Sequence, residues 1–144
     1  MTPKKNSLAA EGFRKAKKQK VKVYKVAAKI KKTSAWTAFA NFIKKRDKYT
    51  CITCGRRGEG SQMNAGHFVS ASGHLSVLFS EENVFAQCTN CNIRGDEYKG
   101  IYTLKLIDRF GREYVDNLVR KGSEYHPGFT REDLKAILTK YQQP

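Results

Sequence analysis

The sequence predicts an α+β protein: a small core of two short strands and a helix, preceded by a basic arm and followed by helices. Three observations predict this fold class. The only four cysteines of the 144 residues form two Cys-x-x-Cys pairs that lie about thirty residues apart. Positive charge is concentrated in residues 1–32. Apolar residues recur at helical spacing through the last third of the chain.

The first 32 residues form the basic arm, which we separate from a second unit over residues 33–144. The arm contains twelve Lys and Arg residues and a single acidic residue, Glu11, so most of the net charge of +15 lies there. This asymmetry favours a polyanionic partner, most simply nucleic acid, over a membrane surface. The alternative is a solubilising or disordered tail. We expect helix in the second half of the arm.

The chain shows no apolar run long enough to cross a bilayer and no signal-peptide core. We therefore expect an intracellular protein with no membrane partner. In that compartment paired cysteines favour a metal over disulfide bonds. A structural disulfide pair or a redox Cys-x-x-Cys is the alternative, but a redox site needs one pair on a thioredoxin-like pattern, which is not seen here.

A helix is predicted over residues 34–47. Thr33 and Ser34 offer an N-cap, and basic residues near the end suit the helix dipole. We expect the apolar stripe to pack in the core and not to stack on bases; it consists of Trp36, Phe39, Ala40 and Ile43.

The segment between the cysteine pairs predicts two short strands, over residues 63–69 and 84–86. Gly55 permits a tight turn after the first cysteine pair. Residues 70–80 contain serines and a glycine and predict a loop. From Cys91 onward we expect a helix.

Three further helices are predicted at the end of the chain. The first is closed by Gly111 and the second by Gly122. Thr130 with Asp133 three residues later resembles a capping box, so the last helix begins there.

The four cysteines predict a structural zinc site. Two Cys-x-x-Cys pairs can place four thiolates tetrahedrally around one ion, which leaves no position open for a catalytic water. The ligands are Cys51, Cys54, Cys88 and Cys91.

His67 lies between the two pairs and is the candidate general base. Hydrolysis of a phosphodiester needs an activated water and a cation near the scissile phosphate. A neutral histidine can accept the proton of that water near pH 7. The alternative is a packed or surface histidine without a chemical role.

Asn92 directly follows the last cysteine, and its amide oxygen suits magnesium. Asp96 lies four residues later, on the same helical face as Asn92, and would add a carboxylate to that site. Glu97 is a weaker candidate for the same role. The alternatives are that Asn92 caps the helix and that Asp96 is a solvated acid.

The remaining polar candidates have weaker chemical assignments. Asn83 is expected to brace the loop that carries His67 through backbone hydrogen bonds. His74 and His126 are expected to be incidental, although His74 can approach a substrate.

These residues resemble a known pattern. Cys-x-x-Cys-Gly is followed by Asn-Ala-Gly-His-Phe at 64–68, by Glu-Asn-Val at 82–84 and by Gln-Cys-x-x-Cys-Asn at 87–92. The order is similar to that of the HNH, or His-Me finger, nucleases and, more narrowly, to the phage NinG/Rap recombination proteins. The resemblance covers about residues 34–141, and the blocks around His67 and Asn92 are its specific part.

The resemblance implies a ββα-metal core with structural zinc, and endonuclease activity with magnesium or manganese on Holliday junctions and D-loops. It also implies a phage or prophage gene, and hence the cytoplasm of a bacterial host. It assigns His67 as the base, Asn83 as the middle asparagine and Asn92 as a metal ligand, all three as catalytic positions. Many HNH nucleases have an acid or histidine just before the base. Here that position is Gly66, so Asp96 or Glu97 is expected to supply the missing oxygen.

The leading hypothesis is therefore a structure-selective DNA endonuclease that acts in recombination. Cutting opposed strands of a junction suits a homodimer, for which the apolar C-terminal helices could provide the interface. One alternative is a non-catalytic zinc-finger accessory protein of recombination that binds branched or double-stranded DNA. Another is a nicking or homing-type HNH nuclease with a sequence-specific target.

Overall fold

The computed structural model describes residues 7–142, and it confirms the α+β class. The elements in chain order are α1 (Ser7–Ile30), α2 (Ser34–Arg46), β1 (Met63–His67), β2 (Val84–Cys88), α3 (Thr89–Ile93), α4 (Lys99–Phe110), α5 (Arg112–Gly122) and α6 (Arg131–Tyr141). Short 3-10 helices occupy Gly60–Gln62 and Leu75–Val77. Within the described residues no helix has the length and apolar character needed to cross a bilayer.

The sheet consists of β1 and β2, which pair antiparallel. Met63 lies opposite Cys88, and His67 lies opposite Val84. Every residue of β2 is buried. The sheet therefore holds the strand that ends in His67 beside the strand that leads into the second cysteine pair.

The C-terminal end of α2 is attached to β2 by hydrogen bonds from an ion pair. Arg46 and Asp47 pair at 2.7 Å, and the Arg46 guanidinium also donates to the Val84 carbonyl oxygen at 2.8 Å. The Asp47 carboxylate accepts a hydrogen bond from the Ala86 amide at 2.8 Å. Thr33 caps the helix through its side chain, as predicted. These contacts fix the helix that carries Trp36 against the sheet.

Helix α1 is longer than predicted, because it begins at Ser7 instead of in the second half of the arm. Its last turns join a buried apolar cluster that consists of Ala27, Ile30, Ala71, Leu75 and Leu78. The boundary at residue 32 stays a prediction, but the end of the arm packs into the body of the protein. Residues 1–6 of the arm lie outside the described residues.

The helix expected from Cys91 differs from the prediction. Helix α3 begins at Thr89 and ends at Ile93, and α4 begins only at Lys99. Gly95 lies in the turn between them, where its low helix propensity favours the break. Asp96 therefore does not continue the helical face of Asn92, and that part of the prediction was wrong.

The C-terminal helices agree with the sequence. Gly111 has a φ of 89° at the end of α4, and the capping box of Thr130 and Asp133 opens α6. Helices α4 and α5 pack on the sheet through a buried cluster that consists of Phe68, Phe85, Tyr102, Leu106, Val115 and Leu118. Helix α6 lies against α2.

Candidate functional site

The four cysteines meet at one point. Their sulfur atoms all lie within 4.8 Å of one another, and Sγ of Cys54 is 3.8 Å from Sγ of Cys88. Four thiolates at about 2.3 Å from a tetrahedral zinc ion would be separated by about 3.8 Å. The residues present therefore fit a zinc ion, and all four thiols are free of disulfide bonds.

Local backbone structure builds this cluster. Gly55 has a φ of 76°, and its amide donates to the Cys51 carbonyl oxygen at 2.8 Å, which closes the first turn. The Ile52 amide donates to the Ala86 carbonyl oxygen at 2.9 Å and docks this turn on β2. Cys88 ends β2 and is the N-cap of α3, so Cys91 lies one turn into that helix.

The environment of the thiols favours a bound cation. Burial would raise the pKa of Cys51, but backbone amides of Cys54, Cys88 and Thr53 lower it to about 7. Burial and the neighbouring thiols raise the pKa of Cys91. Four adjacent thiolates repel one another, so a divalent cation is needed to ionise them together.

A cleft of about 240 Å³ is lined by residues of both strands, of α3 and of the turn that follows α3. Its polar lining residues are Lys31, His67, Ser70, Gln87, Asn92, Asp96, Lys99 and Tyr102. Three residues that the sequence predicts for the site, His67, Asn92 and Asp96, therefore share one cavity.

His67 has the protonation state that a general base requires. Its Nε2 lies 2.9 Å from the Leu78 carbonyl oxygen. A carbonyl can only accept, so Nε2 carries the proton and Nδ1 is the nitrogen that can take up another. Burial and the positive charge of Lys31 lower the pKa of His67 to about 3, which keeps the ring neutral at pH 7.

Asn83 acts as the predicted brace. It is fully buried, and its Oδ1 accepts from the Val69 amide at 2.7 Å. Its Nδ2 donates to the carbonyl oxygens of Val69 at 2.9 Å and Val77 at 3.2 Å. These bonds join the end of β1 to the loop whose Leu78 carbonyl holds His67.

The candidate metal ligands take different positions. Asn92 is inside α3 with Cys88 as the N-cap, so it is not a helix cap. Asp96 lines the cleft from the turn that follows α3. Glu97 lies 3.9 Å from Arg94 and is not among the residues that line the cleft.

Comparison with known proteins identifies the family. The profile of the family described as "Bacteriophage Lambda NinG protein" matches residues 2–144. The chain belongs to the NinG family.

The similar NinG proteins come from phages, in agreement with the expected origin. "Protein ninG" of Escherichia phage 933W is 33% identical over 132 residues, which are 88% of this chain and 63% of that protein. The corresponding protein of Escherichia phage lambda is 33% identical over 130 residues, or 86% of this chain and 61% of the relative. That of Salmonella phage P22 is 32% identical over 130 residues, or 86% and 62%.

This NinG-family chain spans about three fifths of the length of the curated relatives that it matches. No solved structure matches it.

Sequence reasoning missed two lysines of the site in this NinG-family member. Lys31 lies near the end of the basic arm, and its Nζ lies 5.4 Å from the centre of the Trp36 ring. Lys99 donates to the Phe68 carbonyl oxygen and lies 4.1 Å from the Phe68 ring centre. Burial lowers the pKa of both lysines. The sequence offers no reason to select either lysine among its 28 basic residues.

The other two histidines have structural contacts, as expected. Nδ1 of His74 lies 2.7 Å from the Gly122 carbonyl oxygen at the end of α5. Nδ1 of His126 accepts from the Gly128 amide at 3.0 Å. Neither lines the cleft.

Proposed function

We propose that this chain is a divalent-cation-dependent endodeoxyribonuclease of the HNH type that hydrolyses phosphodiester bonds in branched DNA, such as Holliday junctions and D-loops. In this proposal β1, β2 and α3 form a ββα-metal core. The observation that carries it is the cleft, where the neutral His67 lies together with two lysines and with amide and carboxylate oxygens. Positive charge, a base and oxygen ligands are what phosphodiester hydrolysis requires.

His67 is the base in the proposed reaction. Its Nδ1 takes a proton from a water molecule, the water oxygen forms a bond to phosphorus, and the bond from phosphorus to the leaving oxygen breaks. The leaving oxygen then receives a proton from solvent. A divalent cation, Mg²⁺ or Mn²⁺, when bound by Asn92 and Asp96, would neutralise the charge that develops on the phosphate.

Lys31 and Lys99 are positioned to hold the scissile phosphate. Both line the cleft of His67, and their positive charges attract an anion there. A bound phosphate also offsets the charge of Lys31 at the imidazole. The pKa of His67 should therefore rise from about 3 toward the range of an efficient base when substrate binds.

The cysteine cluster has a structural role in this proposal. Zinc held by four thiolates has no open position for water. A zinc ion bound there would connect the cysteine turn after α2 to the start of α3. This connection would hold Asn92 opposite β1. The ion supports the cleft and does not enter the reaction.

DNA binding is proposed to depend on phosphate contacts and on branch shape. The net charge of +15 favours contacts to phosphate, so affinity should fall steeply with salt. A homodimer would place two clefts on opposed strands of a junction. Exposed apolar residues on α4 and α5 are candidates for that interface; they are Ile101, Leu104, Phe110 and Val119.

The decisive experiment compares a labelled four-way junction with a linear duplex of the same sequence, in magnesium and in EDTA. We expect the wild type to cut the junction only with magnesium, and His67→Ala to bind the junction without cutting it. His126→Ala is the matched control, because it removes a histidine that does not line the cleft.

Two other results would redirect the proposal. Tight binding with no cleavage in magnesium or manganese would indicate a zinc-containing DNA-binding protein. Equal cleavage of the duplex at one sequence would indicate a sequence-specific HNH nuclease.

A further inference from the structure

The side-chain oxygen of Gln87 faces the cleft and has no hydrogen-bond partner among the described residues. The residue is 3% exposed, and its Nε2 donates to the Thr53 hydroxyl at 2.7 Å. Its Oε1 accepts no hydrogen bond from the described part of the chain, yet Gln87 lines the cleft of His67. Since Ser80 Oγ is the only fully buried side-chain atom without a partner in the described part of the chain, Oε1 of Gln87 is open to the cleft and can bind a ligand there.

Gly66 shows where this oxygen lies. A Cβ atom on Gly66 would collide with Oε1 of Gln87 and would stand 3.0 Å from Oδ1 of Asn92. Two amide oxygens from different elements, β2 and α3, therefore border the same small space next to His67. Asp96 lines the same cleft and adds a carboxylate. Carbonyl and carboxylate oxygens are the ligands that Mg²⁺ and Mn²⁺ prefer.

We propose that Oε1 of Gln87 is a ligand of the divalent cation, together with Asn92 and Asp96. This assignment rests on the proposed function for the presence of that cation. It explains Gly66, because the carboxamide from the neighbouring strand fills the space in which a side chain at that position would stand. Many HNH nucleases have an acid or histidine just before the base. In this assignment Gln87 of β2 supplies the ligand oxygen that Gly66 at that position cannot offer.

Thr53 connects this ligand to the cysteine cluster. It is 3% exposed and lies between Cys51 and Cys54, and its hydroxyl accepts the Nε2–H of Gln87. With Nε2 of Gln87 directed at this hydroxyl, the oxygen end of the carboxamide faces the cleft. Order in the first cysteine turn therefore positions the cation ligand, as outer partners do in other metal sites.

The test measures Mn²⁺ binding to the zinc-loaded protein by electron paramagnetic resonance of free Mn²⁺, without DNA. Loss of the Gln87 ligand in Gln87→Ala should weaken binding about tenfold or more. The double variant Gly66→Asp/Gln87→Ala should recover binding, since the truncation leaves room for an aspartate that offers a carboxylate to the same space. Gln142→Ala, an exposed glutamine at the end of α6, is the matched control and should bind as the wild type does.

Gln87→Glu decides the question if Gln87→Ala does not fold. It keeps the size of the side chain, and the Thr53 hydroxyl can rotate to donate to the carboxylate. A carboxylate ligand should bind Mn²⁺ more tightly than the amide does. The assignment is overturned if Gln87→Glu binds no more tightly than the wild type, if a folded Gln87→Ala binds as the wild type does, or if the wild type shows no saturable Mn²⁺ site.

The results also separate this inference from the proposed function. Manganese binding that depends on Gln87, without DNA cleavage by the wild type, would support the ligand and reject the endonuclease. Junction cleavage with unchanged Mn²⁺ affinity in Gln87→Ala would support the endonuclease and reject the ligand.

Discussion

The imidazole of His67 stacks on the indole of Trp36, with ring centroids 5.2 Å apart and 12° between the planes. Trp36 comes from α2, and the Nζ of Lys31 at the end of the basic arm lies over its ring. Two segments outside the strands thus determine the environment of the candidate base. The arm is part of the site and not only an attachment to it.

Replacing Trp36 by leucine should change the environment of the His67 ring. The effect on the ring and on cleavage should be larger than the loss of stability accounts for. The free energy of unfolding should fall by about 1–3 kcal/mol, less than for a fully buried tryptophan, since Trp36 is only partly buried. The NMR shifts of the His67 ring should move, and junction cleavage should fall. Phe42→Leu is the control, because Phe42 packs on Tyr141 away from His67. Equal His67 shifts in both variants would contradict the stacking role.

Removing the charge of Lys31 should raise the pKa of His67. Lys31 is the second cause of the low value after burial, so Lys31→Gln should raise it from about 3 but leave it below 6.5. Titration of the His67 ring by NMR measures the shift. Lys32→Gln, at the exposed neighbouring residue, should leave it unchanged. An unchanged value in Lys31→Gln would show that this charge does not reach the imidazole.

Acid should weaken the fold through His67. Its folded pKa of about 3 lies below the ordinary 6.5, so the unfolded chain binds the extra proton first as pH falls. The free energy of unfolding should decrease as the pH falls below 6.5, by up to about 1.4 kcal/mol per pH unit. Urea unfolding at pH 7.5 and 5.5 should show this loss in the wild type, and a smaller loss in His67→Gln. Equal losses would show that His67 titrates normally in the folded protein.

Each chain should bind one zinc ion, and removal of that ion should unfold the segment around the cysteine cluster. Cys91→Ser replaces a buried ligand and should abolish stoichiometric zinc in metal analysis, with a lower thermal midpoint. Zinc returned to the chelated wild type should restore the midpoint, whereas magnesium should not. Full stability of the protein without zinc would contradict a structural site.

Asn83→Ala should destabilise the fold by about 2–4 kcal/mol, because it leaves buried backbone groups of Val69 and Val77 without partners. Cleavage should fall through displacement of the loop that holds His67, while zinc content stays the same. Asn41→Ala, at an exposed position of α2, should change neither property. A stable Asn83→Ala protein that has lost cleavage alone would instead indicate direct participation in the chemistry.

The sequence by itself determined the features that depend on near neighbours. The spacing of the cysteines predicts a four-thiolate cluster, Gly111 and the Thr130–Asp133 pair mark helix ends, and the segment between the cysteine pairs predicts two short strands. Each of these features depends on residues that are close in sequence, because turns, helix caps and short strands are short-range properties of the chain.

Only the tertiary structure decided how the cleft is completed. Lys31, Gln87 and Lys99 come from three separate segments of the chain, and nothing in the local sequence of the two lysines separates them from the other lysines. Asp96 reaches the cleft from a turn and not from the helical face that the spacing predicted. The physical reason is that these positions depend on how the end of α1 packs on the segment between the strands and how α4 packs on the sheet. Buried contacts between distant segments leave no periodic signal in the chain.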